Sequence, residues 1–585
     1  MNNLLTKYAP KPTDPILIEY PRPQMRRDSY LNLNGFWDFE ISKNETITHY
    51  TKRILVPFSP ESILSTINQL VDVDDYAFYR KIVELPEGFM KDRLIIHFGA
   101  VDQTCDVYIN QTLVLTHVGG YVPFSIDITD AIDGSSFELS LRVKDITDTS
   151  CHLTGKQRLN RGGIFYTPQS GIWQTVWLES VCDTYIKDIN LIPNFDAHAF
   201  ELRVDSDSSE NLSVSVYFKG THLTTVQTPL NSIQITLDEF HPWTPEVPNL
   251  YDLVITLGND TIYSYVGIRK FERKADRFGI MRFYLNNQPY FQSGVLDQGY
   301  FSDGLLTPPS DQAMIDDILT MKNLGFNMLR KHIKMEPLRW YYHCDRLGML
   351  VWQDMMSGTE NKNVVFHHVL SILHIHLSDR FNKRFGRTQV LGKQLYEKDL
   401  ETMLHTLKNV CSICTWVPFN EAWGQFDTKR ICHKIESLDP TRLVDHASGW
   451  SDHGVGDYHS RHIYYQKISF YKFNARKRIL ALTEFGGYSL PIQGHRFNDD
   501  SVFGYKIYTN DIDFRHALQD LYLSKLKKSI EHGLSVLIYT QLSDVEDEVN
   551  GFLTYDREVL KVRPAFMKDI HQKLFDLFEK KVSGR

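Results

Sequence analysis

Two glutamates, Glu421 and Glu484, each stand where an apolar, strand-like run gives way to a loop rich in glycine or tryptophan. The contexts are Ile413-Cys-Thr-Trp-Val-Pro-Phe-Asn-Glu421-Ala-Trp-Gly and Ile479-Leu-Ala-Leu-Thr-Glu484-Phe-Gly-Gly. A carboxylate at the end of a buried strand is costly to desolvate unless something uses it. Two of them, in one stretch of alternating strand and helix patterns, point to a pair converging on one mouth. Paired carboxylates are the machinery of glycoside hydrolysis. A single glutamate at a strand end is more often an ordinary solvated group; the pairing and the surrounding Trp and Gly favour chemistry.

Eight strand patterns supply such ends in the C-terminal half: Phe291–Val295, Asn327–Arg330, Met349–Trp352, Ile413–Val417, Leu443–His446, Tyr458–Tyr464, Ile479–Thr483 and Ser535–Tyr539. Amphipathic helices lie between several of them. The stretch Asp311 to Leu324 sets Met314, Ile315, Ile318, Leu319 and Met321 largely along one face, with Ser310 as N-cap and Gly325 as stop. Eight strands alternating with helices predict a (β/α)8 TIM barrel over residues 273–585, which places its chemistry at the C-terminal strand ends. Those ends carry Asp297, Arg330 and His332, Asp354, Asn420 and Glu421, His446, His462 and Tyr464, Glu484 and Gln541.

The rest of the chain reads differently. Residues 1–180 hold short alternating strands such as Arg93–Phe98 and Phe137–Val143, with no long helical pattern, as in a jelly-roll β-sandwich. Residues 181–272 continue with shorter strands, including Leu212–Phe218 and Asp252–Leu257, and fit an immunoglobulin-like β-sandwich.

Composition fits a multidomain enzyme of 585 residues, 42% hydrophobic. The net charge of −8 is spread along the chain, so no basic face for nucleic acid stands out. No apolar run is long enough for a membrane span, and the start lacks the apolar segment of a secretory signal. Seven cysteines without framework spacing suit a reducing, cytoplasmic setting. Cys411 and Cys414 form a lone C-x-x-C inside a strand pattern, better explained by burial than by redox or zinc chemistry. The histidine-rich stretch Phe366 to His376 lacks metal-ligand spacing and reads as an excursion after the third strand. No cofactor or metal is expected, and a homo-oligomer is compatible with this class.

The sequence resembles glycoside hydrolase family 2, the family of β-galactosidases, β-glucuronidases and β-mannosidases. Leu33-Asn-Gly-Phe-Trp-Asp38, Gly119-Gly-Tyr-Val-Pro-Phe124 and Gly171-Ile-Trp-Gln-Thr-Val-Trp177 resemble its sugar-binding jelly roll. Asn327-Met-Leu-Arg330-Lys-His332 is similar to its second barrel strand, with His one place early, and Asp345-Arg-Leu-Gly-Met-Leu-Val-Trp352 to its third. The resemblance implies Glu421 as acid/base, with Asn420 before it contacting the sugar 2-hydroxyl, and Glu484 as nucleophile. It further implies that Tyr464 bonds the nucleophile and that Arg330 keeps it ionised.

Asp297 and Asp354 are expected to hold sugar hydroxyls, against an alternative as loop-capping carboxylates. His332, His462 and Gln541 are expected at the substrate, with Trp423, Trp450 and Trp352 stacking on sugar faces or filling core. The family's glucuronidases bind the sugar carboxylate through an Asn-x-Lys element after the eighth strand, and alignment there gives Glu548 and Asn550. A glutamate facing a uronate repels it, so a retaining exo-β-glycosidase for a neutral sugar, β-galactose first, is the expectation. A β-glucuronidase, another specificity of the family such as β-glucosidase or arabinosidase, or a non-catalytic carbohydrate-binding relative are the alternatives. The loop Arg158 to Tyr166 is expected at the rim of the mouth.

Overall fold

The computed structural model describes residues 3–11, 13–358, 360, 367, 369–370 and 377–584. Most of the histidine-rich stretch, all but His367, Val369 and Leu370, lies outside the described residues.

The N-terminal region is a sandwich of a six-stranded and a four-stranded antiparallel sheet. In the larger sheet Ser136–Lys144 pairs with both Tyr76–Glu84 and Thr104–Ile109; in the smaller, Val176–Val181 pairs with Arg93–Phe98. Burial alternates along Ser136–Lys144, as it must when one face meets the core and the other water. Trp37, Tyr79, Phe98, Leu139 and Leu178 meet in that core. The next region is a seven-stranded sandwich, with sheets of three and four strands enclosing Phe200, Leu202, Val214, Leu253 and Ile255.

The C-terminal region is the barrel. Its strands are β1 (Gln292–Asp297), β2 (Met328–Lys331), β3 (Leu350–Asp354), β4 (Ile413–Val417), β5 (Leu443–Val444), β6 (Tyr458–Ile463), β7 (Ile479–Gly486) and β8 (Leu534–Thr540). All neighbours pair in parallel, in the order β5-β4-β3-β2-β1-β8-β7-β6, with the seam between β5 and β6 left without a ladder. Every residue of β2, β3, β4, β7 and β8 is buried, which is why these strands read as near-continuous apolar runs. A hairpin, Phe271–Ala275 with Met281–Leu285, packs Phe271, Phe283 and Leu285 against Leu296, Trp352 and Ile538 of the barrel. Arg282 ties it to Gly533 and Ser535 at the start of β8. The N-terminal end of the barrel is thereby plugged, and the opposite end is left for chemistry.

The helix Asp311–Asn323 starts where expected: the Ser310 side chain accepts from the Ala313 amide, a cap that contributes about 1 kcal/mol. Its buried face is Ala313, Met314, Asp317, Ile318 and Met321. The expected face needs correction, since Leu319 is 42% exposed and Ile315 only partly covered. Asp317 takes a buried place because Arg557 pairs with it at 3.2 Å.

All seven cysteines are free, and Cys411 and Cys414 are both buried in the strand region. Among the described residues no helix is long and apolar enough to cross a membrane.

Candidate active site

Glu484 comes to the mouth through an irregularity in β7. Arg461 pairs with Leu482 but His462 with Glu484, so Thr483 is an extra residue on β7. The register against β8 shifts at the same place. Such a bulge turns the side chain that follows it and is common beside active sites. Glu484 is buried, and its carboxylate accepts from Arg330 Nη1 at 3.2 Å on Oε1 and from the Tyr464 hydroxyl at 2.5 Å on Oε2.

Arg330 lies on β2 and is fully buried. Asp354, at the end of β3, receives two parallel bonds from it, Nε to Oδ1 at 3.0 Å and Nη2 to Oδ2 at 2.9 Å. The remaining donors reach Asn420 Oδ1 at 2.8 Å, the Thr483 carbonyl at 3.1 Å and Glu484. The fork of a guanidinium suits this work because several planar donors leave one rigid group. Burial opposes its charge, but Asp354 and Glu484 outweigh that and hold Arg330 protonated.

Glu421 follows β4 in a left-handed turn. Its φ is +49° and that of Ala422 is +62°, a region where residues with a Cβ are uncommon and strain is tolerated mainly at functional positions. The turn is pinned to the loop after β5, with the Glu421 amide donating to the Ser448 carbonyl at 3.0 Å. Glu421 as a whole is 7% exposed. Its Oε1 lies 2.8 Å from His462 Nδ1, which is also 3.4 Å from Glu484 Oε2. One ligand-type atom from each of Glu421, His462 and Glu484 lies within 4.8 Å of the other two. This is the one trio among the described residues with metal-like spacing, but the Arg330 guanidinium touching Glu484 already supplies positive charge there.

Burial lifts Glu484 above the ordinary carboxylate range; His462 lowers it, Glu421 raises it, and Arg330 and the Tyr464 bond lower it again. Two acids this close resist ionising together and share a proton between them. Arg330 and Tyr464 both bond Glu484, and His462 lies between the two acids, 2.8 Å from Glu421 and 3.4 Å from Glu484. Tyr464 remains a phenol because burial, then Glu484, push its hydroxyl far up. Its ring stacks on Tyr505 with centroids 3.5 Å apart.

Of the expected site residues, Glu421, Glu484, Asn420, Arg330, Tyr464, His462, His332 and Asp354 form one bonded network. Asp354 and His332 have a different part in it from the one expected. Asp354 bonds Arg330 and, at 2.9 Å, His332 Nδ1, so it orients the arginine instead of standing open to a hydroxyl. Asp297 is a correction: Leu296 faces the barrel interior, so the pleat turns Asp297 to the outer side. There it takes Lys331 at 2.7 Å and the Gly299 amide at 2.9 Å. Trp352 takes the core place of the two expected for it: it is wholly buried inside the barrel with Nε1 bonded to Gln292. His446 is held by Asp452 at 3.0 Å, and Gln541 accepts from Gln298 at 2.7 Å. Trp423 lies against Phe165, and Trp450 6.5 Å from the His462 ring.

The first domain reaches into this mouth. The Thr154 and Gly155 amides donate to the Ser357 carbonyl after β3. Arg161 pairs with Glu546 at 3.1 Å, and the Tyr166 hydroxyl donates to Glu548. Lys156 Nζ lies 3.3 Å from that hydroxyl and 3.7 Å from Glu548 Oε2. Lys156, Ser448 and Tyr505 had no sequence signal: each meets the site through contacts far apart in the chain.

At the strand ends of the barrel two buried carboxylates, an arginine and a tyrosine converge, the kind of carboxylate pair that glycoside hydrolysis uses. Comparison with known proteins agrees. Residues 49–176 match the sugar binding domain of glycosyl hydrolases family 2, residues 184–269 a model described as glycosyl hydrolases family 2, and residues 282–481 the family's TIM barrel domain. The chain belongs to glycoside hydrolase family 2. It is 27% identical over 319 residues to a β-galactosidase from Thermoanaerobacter pseudethanolicus, covering 50% of this chain and 42% of that one. It is 26% identical over 279 residues to a putative β-glucuronidase from Formosa agariphila, covering 44% and 32%. The chain thus spans less than half the length of these curated relatives. Among solved structures, a β-D-glucuronidase from Dictyoglomus thermophilum superposes with a TM-score of 0.74 at 18% identity, over 95% of this chain and 98% of that one.

Proposed function

We propose that this protein is a retaining exo-β-glycosidase acting by double displacement, with Glu484 as nucleophile and Glu421 as acid/base. The observation that carries the reading is the closeness of the two carboxylates, with oxygens within 4.8 Å and one histidine touching both. Retaining enzymes hold their carboxyls about 5–5.5 Å apart, whereas inverting ones leave about 6.5–9.5 Å for a water. Neutral Glu421 protonates the glycosidic oxygen while ionised Glu484 attacks the anomeric carbon. Glu421, now a carboxylate, then deprotonates the water that releases the sugar. Asn420, fixed by Arg330, is the donor offered to the sugar 2-hydroxyl. The first-domain loop across the mouth supports a pocket that admits a chain end. The test is the anomer released first from an aryl β-glycoside, read by proton NMR: β-anomer supports retention, α-anomer refutes it. Monosaccharide from the first time point with a β-linked oligosaccharide supports the pocket, and early internal cleavage refutes it.

For the sugar itself, the wall after β8 favours a neutral residue such as β-galactose. Glu546 and Glu548 stand there buried, and a uronate brought against them meets like charge. A β-glucuronide is the second reading, favoured by Lys156 beside Glu548, a basic group in place of the absent Asn-x-Lys lysine.

A further inference from the structure

His462 sits between the two carboxylates, and its ring nitrogens face opposite chemistry. Nδ1 meets Glu421 Oε1 at 2.8 Å and Glu484 Oε2 at 3.4 Å. Nε2 meets the Ser448 hydroxyl at 3.1 Å and Arg330 Nη1 at 3.5 Å. A guanidinium only donates, and the ionised Glu484 carboxylate beside Nδ1 only accepts. The lone pair of the ring therefore belongs on Nε2 and its proton on Nδ1. Burial pulls the His462 ring down to about 4, so it is neutral and carries that single proton. The ring is fitted closely: a Cβ on Gly449, whose φ is +88°, would lie 2.3 Å from it.

We infer that His462 is a positioning residue that donates one N–H across Glu421 and Glu484, holding the acid/base and the nucleophile at working distance. This rests on the double-displacement reading above. The donor stabilises both carboxylates in their ionised form. It lets Glu421 give up its proton in the first step and return to a carboxylate for the second, and it fixes the direction in which the Glu421 carboxyl points. The charged and titratable groups around the bridge are Arg330, Asp354, His332 and Asp445 on one side and Tyr464 and Tyr505 on the other.

The test compares His462→Ala with His462→Asn, whose amide nitrogen stands near the place of Nδ1. His462→Ala should lower kcat/KM on an aryl glycoside by roughly 10- to 100-fold, the scale of a misplaced catalytic group, and move both limbs of the pH profile to higher pH. His462→Asn should restore the native limbs and most of the rate. Limbs that stay in place in His462→Ala, whatever the loss of rate, or an Asn variant no better than Ala, would overturn the assignment. If His462→Ala does not fold, nitrogen NMR of histidine-labelled native protein decides. A ring protonated on Nδ1 supports the bridge and one protonated on Nε2 refutes it. Failure of the double-displacement reading would look different: native enzyme releasing the inverted anomer, with the pH limbs never at issue.

Discussion

Asp354 and Arg330 form a two-pronged pair, with bonds of 3.0 and 2.9 Å, that is wholly buried beneath the mouth. The pair fixes the plane of the guanidinium, so its other edge reaches Asn420 and Glu484 together.

Arg330→Lys should therefore be far from conservative. A lysine keeps one charge but cannot hold Asp354, Asn420 and Glu484 at once. We expect kcat/KM to fall by about 10²- to 10³-fold, the scale for losing a preorganised donor. The melting temperature should drop as well, since Asp354 is left with an incomplete buried partner. Steady-state kinetics with a thermal melt check both; near-native turnover would show that Arg330 does not organise the nucleophile.

The eighth-strand wall makes a prediction about the sugar. Native enzyme should hydrolyse a neutral aryl β-glycoside with a higher kcat/KM than the matching glucuronide. Glu548→Gln should narrow that gap by roughly tenfold, because one buried negative charge beside the sugar is removed. A native preference for the glucuronide would instead favour the second reading, and Lys156→Met should then abolish it.

Stability should fall as pH rises through the neutral range. Burial pushes Glu61 up to about 8 and Asp399 up to about 7. Both carboxyls stay protonated in the folded chain where the unfolded chain would ionise them. Such a group contributes its full stability below the unfolded value near 4–4.5 and loses it as pH climbs to the folded value. Melting temperatures at pH 7 and pH 8.5, above the range where unfolded histidines titrate, should differ accordingly, and Glu61→Gln should shrink the difference. A Gln variant with the same pH slope as the native chain would show that Glu61 carries none of it.

Much of this was legible in the sequence because parallel barrel strands, buried on both faces, read as apolar runs, and their polar ends stand out. Glu421, Glu484, Arg330 and Tyr464 were found that way. The same signal misled at Asp297, since a polar strand end looks alike whether it faces the barrel axis or, one pleat step on, an outer ion pair with Lys331. The bulge at Thr483 and the left-handed turn at Glu421 leave no periodic mark. Tyr505 and Lys156 reach the site by long-range packing that local pattern cannot encode.

Double displacement requires that Glu484 become covalently glycosylated. Incubation with a 2-deoxy-2-fluoro neutral β-glycoside bearing a dinitrophenyl leaving group should slow the second step more than the first and trap the intermediate. Intact mass spectrometry should show one fluoro-sugar per chain, and peptide mapping should place it on Glu484. An adduct on Glu421 or elsewhere, or turnover with inversion and no adduct on any aryl glycoside tried, would rule out Glu484 as the nucleophile.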